Sequence, residues 1–137
     1  MNTKAVKNVF HSAPFIAALG MKLESVGEGE CVTTLELAER HLQQNGVVHA
    51  GVLFTVADHT AGGAASTLVP TDAYVLSAEV KISLLRAAKG EKLICRARVL
   101  KPGKRLSFVE AEVFCVADGK ESLVAKASGT MAVIAAG

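Results

Sequence analysis

The sequence predicts an α+β fold in which one long helix covers one face of an antiparallel sheet. From His49 to about residue 69 the chain has neither proline nor strand-like alternation, which predicts a helix that is closed by Pro70. After Pro70, apolar and polar residues alternate with the period of half-buried strands. Turn signals such as Pro102-Gly103 separate these strands, so we expect consecutive strands to pair antiparallel. The long helix is the element able to cover the resulting sheet.

The elements before the long helix are predicted to be one short helix and two strands. Apolar residues recur at helix-like intervals up to about Gly20, and a glycine is a suitable residue to end that helix. Strands are predicted at residues 21–26 and 31–37, on either side of a Gly-Glu-Gly-Glu turn. A polar loop at residues 41–46 then leads into the long helix.

Four strands are predicted after the long helix. In the first of them, the even-numbered residues from Tyr74 to Leu84 are expected to share one face, and Ser77 is expected on the opposite, polar face. The predicted order is therefore a short helix, two strands, the long helix and four strands. The length predicts that residues 1–137 form a single domain.

The composition is that of a globular protein with balanced charge. Half of the 137 residues are hydrophobic and a fifth are charged. The net charge of +2, from 15 basic and 13 acidic residues, argues against general nucleic-acid binding. The apolar stretch at residues 13–21 is too short to span a membrane. We therefore expect a cytoplasmic protein that binds neither nucleic acid nor membranes.

The three cysteines, Cys31, Cys95 and Cys115, are widely separated and form no C-x-x-C motif. This pattern indicates reduced, buried strand residues and a reducing compartment. The four histidines do not pair at the spacing of a helical metal site, and the common phosphate-binding and nucleophile motifs are absent. No metal site is therefore expected.

The predicted long helix contains many small residues. Two of them, Gly62 and Gly63, are glycines inside the helix, where each costs about 1 kcal/mol relative to alanine. Small side chains suit a helix that lies close against a sheet or against another helix.

Two positions of the long helix are candidates for chemistry. Asp58 lies in a strongly apolar stretch, where a carboxylate is unfavourable unless it is paired or used; the alternative is an exposed residue on the outer side of the helix. His49 lies where the helix begins. The free N–H groups of Ala50 and Gly51 and the helix dipole can polarise a carbonyl oxygen there. The alternative for His49 is an ordinary N-terminal helix residue.

Helix geometry separates these two positions within one chain. His49 and Asp58 are nine residues apart, so they point to opposite sides of the helix, about 13 Å apart along its axis. They meet if two copies of the helix lie antiparallel across a two-fold axis. Each site would then combine the helix N-terminus of one chain with Asp58 of the other, which predicts that a monomer is inactive.

The sequence resembles the PaaI-like hot-dog thioesterases over nearly its whole length. The resemblance is carried by Gly46-x-x-His49-x-Gly51, Asp58, Ser77-Ala78-Glu79-Val80 and Lys101-x-Gly103-Lys104. It implies an antiparallel sheet wrapped around one long central helix, in homodimers that join their sheets edge to edge and often pair into homotetramers. It also implies an acyl-CoA thioesterase that acts on acyl- or aryl-CoA thioesters, with coenzyme A as part of the substrate and no cofactor.

The resemblance also implies roles for five residues. Asp58 is expected to activate water as a general base or to attack the thioester carbonyl directly. The N–H of Ala50, where the family usually has glycine, is expected to bind the carbonyl oxygen, with His49 orienting the site. Gln43, where many members have asparagine, is expected to hold the water or the substrate. Ser77 is expected to position the water or Asp58.

Because coenzyme A carries phosphates, cations are expected near the entrance of the site. The basic residues of the later loops are Arg86, Lys89, Lys101, Lys104 and Arg105. Of these, Lys104 and Arg105 are the preferred contacts for coenzyme A.

Two other functions compete with hydrolysis. The first is a non-catalytic hot-dog module that binds acyl-CoA, although a pure binder gains nothing from a buried carboxylate beside a thioester. The second is a hot-dog hydratase or dehydratase, which needs an acid–base pair within reach of the second and third carbons of the acyl chain. The sequence does not name the acyl group.

Overall fold

The structure, a computed structural model, describes residues 1–135. These residues form six strands, three α-helices and a short 3-10 turn at Glu39–His41. The helices are α1 (Thr3–His11), α2 (Pro14–Leu19) and α3 (Ala50–Ser66). The strands are β1 (Lys22–Gly27), β2 (Glu30–Glu36), β3 (Tyr74–Leu84), β4 (Lys92–Lys101), β5 (Leu106–Ala117) and β6 (Lys120–Ile134).

All six strands belong to one antiparallel sheet with the order β1-β2-β4-β5-β6-β3. The sheet wraps around α3, which packs against every strand from β2 to β6. The predicted α+β hot-dog fold is therefore confirmed. Strands β1 and β3 are the two edges of the sheet, so within residues 1–135 each has one side without a strand partner.

Helix α3 is slightly shorter than predicted, because it ends at Ser66 and not next to Pro70. Thr67 ends it: its hydroxyl donates to the Ala64 carbonyl at 2.7 Å and accepts from the Gly29 N–H at 2.8 Å. The second bond ties the end of the helix to the turn between β1 and β2. A tertiary hydrogen bond therefore holds the end of the helix a few residues before Pro70.

The N-terminal segment forms two helices where the sequence pattern predicted one. The chain is extended at Ala13 (φ −94°, ψ 105°), and α2 starts at Pro14. A residue before proline avoids the helical region, and proline is favoured at the first helical position. The prediction that Gly20 ends this segment is confirmed, because Gly20 closes α2 in the left-handed region (φ +92°). Within residues 1–135, no helix is long and apolar enough to cross a lipid bilayer.

Strand β3 contains a bulge, and the prediction that its side chains alternate regularly from Tyr74 to Leu84 is therefore wrong. Ser77 pairs with Met131 and Glu79 pairs with Thr130, so Ala78 is an extra residue in β3. The bulge reverses the alternation along the rest of the strand. Val75, Val80 and Ile82 pack against the core. Tyr74 and Leu76, which were predicted to share a face with Val80, are instead half exposed.

The three cysteines are free, buried and located in strands, as predicted. Burial raises the pKa of the Cys31 thiol to about 12 and that of Cys95 to about 12. Both thiols therefore stay protonated at neutral pH and act as small apolar core groups.

Candidate active site

Asp58 lies on α3 facing β3, and its carboxylate is held by Ser77. The Ser77 hydroxyl donates to Asp58 Oδ1 at 2.6 Å. Ser77 reaches Asp58 because it lies before the bulge, on the side of β3 that faces the helix at this point. Within residues 1–135 no other group of the protein donates a hydrogen bond to the Asp58 carboxylate, so Oδ2 is available to a water molecule or a substrate. The sequence pattern places Ser77 on the polar face of its strand, opposite to Val80 and Ile82. Because of the bulge between Ser77 and Glu79, Ser77 can face α3 while Val80 and Ile82 also face the core.

Asp58 and Ser77 open into a cavity of about 360 Å³ between α1, α3 and β3, here called the Asp58 cavity. Most of its other walls are apolar, and they include Val9, Ala13, Gly62, Val75, Leu76 and Met131. A larger depression of about 560 Å³ adjoins it along the polar face of α1 and shares Asn8 and Ser12 with it. The larger depression contains none of the predicted catalytic residues. A carboxylate at the wall of a mostly apolar cavity is the usual form of a small-molecule site.

The N-terminus of α3 lies in a second cavity of about 310 Å³, here called the Ala50 cavity. His49 caps the helix, because its Nδ1 accepts the Gly51 N–H at 2.8 Å. The expectation that the Gly51 N–H is free is therefore wrong. The Ala50 N–H makes no hydrogen bond within residues 1–135 and points out of the helix start. It is the donor that remains for a ligand, beside the positive end of the helix dipole.

Gln43 also lines the Ala50 cavity, together with Arg86. The Gln43 side-chain oxygen accepts the Asn45 N–H, so its NH₂ group is left as a donor. Gly46 gives this loop its tight turn, with φ at +81° in the left-handed region. Gln43 therefore brings an NH₂ donor to the second cavity.

His41 supports the loop, and sequence reasoning missed it. The side chain is fully buried, its Nδ1 accepts the Ala38 N–H at 2.9 Å, and its Nε2 donates to the Leu19 carbonyl at 2.8 Å. The His41 carbonyl accepts the His49 N–H at 2.9 Å. His41 therefore fixes the start of α3 to the end of α2. Its position in a polar loop carried no signal of burial.

The two cavities are separate within one chain. Asp58 and Ser77 line one of them, Gln43 and Ala50 line the other, and no residue is shared. This separation agrees with the helix geometry, which places His49 and Asp58 on opposite sides of α3. Among the described residues, neither cavity alone contains both a carboxylate and a free helix N-terminus.

The basic residues predicted to contact coenzyme A lie on exposed turns. Lys104 and Arg105 are exposed in the turn between β4 and β5 and line neither of the two cavities. Ser77, Met131 and Ser107 are adjacent across three strands, which places this turn at the Asp58 end of the sheet. Arg86, which was the less favoured candidate, lies on the wall of the Ala50 cavity.

His59 fastens α1 over the Asp58 cavity. Its Nε2 donates to the Val9 carbonyl at 2.9 Å, and its ring meets the Phe10 ring edge-on with centroids 4.7 Å apart. Burial lowers the pKa of His59 below its ordinary value of 6.5, against the opposing effects of the Val9 carbonyl and of Asp58. His59 is therefore neutral at neutral pH.

Acidification is expected to destabilise the fold through His59. Below about pH 6.5, His59 binds a proton more readily in the unfolded chain than in the folded chain. The free energy of unfolding therefore falls as the pH falls. His59→Gln keeps an N–H donor for the Val9 carbonyl but does not titrate. Urea unfolding from pH 7.5 to 5 should show a steeper loss of stability for the wild type than for His59→Gln. If the free energy of unfolding depends equally on pH in the two proteins, His59 is not the group responsible.

Comparison with known proteins agrees with the fold and identifies the family. Residues 45–122 match the thioesterase superfamily. A thioesterase family protein from Silicibacter pomeroyi has a solved structure that superimposes with a TM-score of 0.96, at 31% identity, over 99% of this chain and 100% of that one. The phenylacetic acid degradation protein PaaI from Thermus thermophilus superimposes with a TM-score of 0.76, at 29% identity, over 88% of this chain and 98% of that one.

A human relative carries a more specific description. Acyl-coenzyme A thioesterase 13 of Homo sapiens is 29% identical over 121 residues, which cover 85% of this chain and 84% of the relative. These matches support thioester hydrolysis as the general activity. The chain therefore belongs to the thioesterase superfamily and is a PaaI-like hot-dog thioesterase.

Proposed function

We propose that this protein hydrolyses acyl- or aryl-CoA thioesters to the free acid and coenzyme A. The observation that carries the proposal is the Asp58 carboxylate, held by Ser77 at 2.6 Å at the wall of an apolar cavity. Such a carboxylate can take a proton from water as the water attacks the thioester carbonyl, or can attack that carbonyl itself. The carbon–sulfur bond then breaks, and the departing sulfur takes up a proton, so that coenzyme A leaves as the thiol. In the nucleophilic route, water then hydrolyses the acyl–Asp58 anhydride, which releases the free acid and restores the carboxylate.

The negative charge that develops on the carbonyl oxygen needs a donor, and the Ala50 N–H at the start of α3 is the proposed one. A fixed N–H and a helix dipole aimed at this oxygen stabilise the transition state more than the substrate. His49 contributes by capping the helix, and Gln43 contributes its NH₂ group to the substrate or to the water. The reaction needs no cofactor, because coenzyme A is part of the substrate.

We propose a homodimer with shared active sites as the working form. Asp58 and the Ala50 N–H lie in separate cavities of one chain, so a second subunit is needed to bring them together. Strand β3 is an edge strand with a free side, and Leu76 and Leu84 on it are 55% and 53% exposed. Pairing of two β3 strands would extend the sheet and cover these side chains. Pairing of dimers into a tetramer, and a cytoplasmic location, stay predictions.

Thiol release from a panel of acyl- and aryl-CoA thioesters tests the proposed function. Turnover of at least one thioester supports hydrolysis and identifies the preferred acyl class. Binding of acyl-CoA without thiol release would favour a binding module, and addition of water to an enoyl-CoA would favour a hydratase.

The salt dependence of KM, compared with that of Lys104→Ala, Arg105→Ala and Arg86→Ala variants, would locate the phosphates of coenzyme A.

Ser77→Ala is expected to lower kcat about 10-fold and to change KM little. The reason is that a hydrogen bond to a charged group contributes at least about 1.5 kcal/mol, which corresponds to roughly a factor of ten in rate. The variant keeps the carboxylate but frees it to rotate. Steady-state kinetics on the preferred thioester measure the effect. Ser83→Ala, on the same strand and exposed, is the matched control. Equal kcat values for the two variants would show that Ser77 does not position Asp58 for catalysis.

A further inference from the structure

Two adjacent glycines of α3 stand in different surroundings. A Cβ on Gly63 would lie 2.9 Å from Cys31 Sγ and 3.0 Å from Phe10 Cε2, so close packing explains this glycine. A Cβ on Gly62 would meet no atom of residues 1–135 within 4 Å, and Gly62 is not among the glycines with positive φ. Neither packing nor backbone conformation within the described chain accounts for Gly62, although glycine is unfavourable inside a helix.

The open space beside Gly62 is the Asp58 cavity. Gly62 lines this cavity and lies four residues after Asp58, so both positions are on the same side of α3, about 6 Å apart along the axis. Helical side chains lean toward the N-terminus of their helix. A side chain at position 62 would therefore extend over Asp58 and into the cavity. The lack of a side chain keeps the space next to the carboxylate empty.

The walls around this space indicate which part of a substrate it takes. Val9, Ala13, Val75 and Met131 present apolar surface beside Gly62. Asn8 and Ser12, which hydrogen-bond to each other at 3.0 Å, form the polar rim on the side of α1. An acyl chain or an aryl ring suits such a space, whereas the phosphorylated part of coenzyme A does not.

We propose that Gly62 determines substrate specificity by leaving room for the acyl or aryl group of the thioester next to Asp58. This inference rests on the proposed thioesterase function. A larger side chain at position 62 shortens the space available to the acyl group. The groups proposed for the chemistry, Asp58 and the helix N-terminus, are themselves unchanged by it.

The test compares Gly62→Ala and Gly62→Leu with the wild type on a series of thioesters from acetyl-CoA to long-chain acyl-CoA and on an aryl-CoA. For Gly62→Leu we expect kcat/KM to fall roughly 100-fold on the longest acyl groups that the wild type accepts, because each excluded methylene lowers binding about fourfold. On the shortest thioester the change should be smaller than about threefold. Gly62→Ala should show a weaker shift in the same direction.

Gly63→Ala is the matched control, because its new Cβ meets the core and not the cavity. It should lower the melting temperature and leave the preferred acyl length unchanged. Melting temperature and oligomeric state are measured for every variant. Gly62→Leu with the wild-type acyl preference would overturn the inference. So would dissociation of the oligomer, or equal loss on all thioesters, because the space would then belong to a subunit interface or to the chemistry.

The two proposals fail in different ways. A wild type that releases no thiol from any thioester overturns the proposed function and this inference together. A wild type that is active, with a Gly62→Leu variant of unchanged preference, overturns only the role of Gly62.

Discussion

Asp58→Asn is expected to lower kcat for thioester hydrolysis by about 10²-fold or more. The amide has nearly the size of the carboxylate, and its oxygen can still accept the Ser77 hydroxyl. It can neither take a proton from water nor attack the carbonyl as a nucleophile. Binding of the substrate should therefore change little, and the loss should appear in kcat and kcat/KM alike.

Thiol release on the preferred substrate measures the effect, and binding of a thioester or of coenzyme A under the same conditions serves as the second readout. Asp118→Asn, in the exposed turn between β5 and β6, controls for the loss of one negative charge. An Asp58→Asn variant as active as the wild type would exclude Asp58 as the catalyst. The proposal of a thioesterase would then need another base, and the binding-module alternative would gain support.

Ala50→Pro is expected to lower kcat by about 10²–10³-fold, the usual effect of removing one donor to a developing oxyanion. Proline deletes the N–H of Ala50 and little else. The first helical position favours proline, and the preceding His49 already has the extended conformation that proline requires (φ −61°, ψ 137°). The folded chain loses no hydrogen bond, because the Ala50 N–H donates none within residues 1–135.

Ala50→Gly is the control for Ala50→Pro, since it keeps the N–H and introduces the residue usual in the family. It should remain close to wild type in kcat, and both variants should melt near the wild-type temperature. A fully active Ala50→Pro variant would show that the helix N-terminus does not bind the carbonyl oxygen. A large fall in melting temperature would instead assign the loss of activity to the loop.

The same two variants test whether the sites are shared between subunits. In a mixed dimer of Asp58→Asn and Ala50→Pro, one site has both functional groups and the other has neither. Random exchange of subunits makes half of the dimers mixed, so activity should recover to about a quarter of the wild type. A mixture that stays as inactive as its components would place each site within one chain.

The sequence by itself determined the class of fold and singled out the residues that are proposed for the chemistry. The long helix and the alternation in β4 and β5 are local patterns, and local periodicity reports which face of an element is buried. Asp58 was identified for the same reason, because a carboxylate in an apolar helix stands out without knowledge of its neighbours. The separation of His49 from Asp58 followed from helix geometry alone.

Only the tertiary structure decided which groups meet around these positions. The Ser77–Asp58 hydrogen bond depends on the bulge at Ala78, and the end of α3 is joined to the β1–β2 turn by a bond between Gly29 and Thr67. The Gly51 N–H, which was predicted to be free, also donates to the His49 side chain. A bulge is a property of two paired strands and a cap depends on a side-chain rotamer, so neither is encoded in the period of one segment.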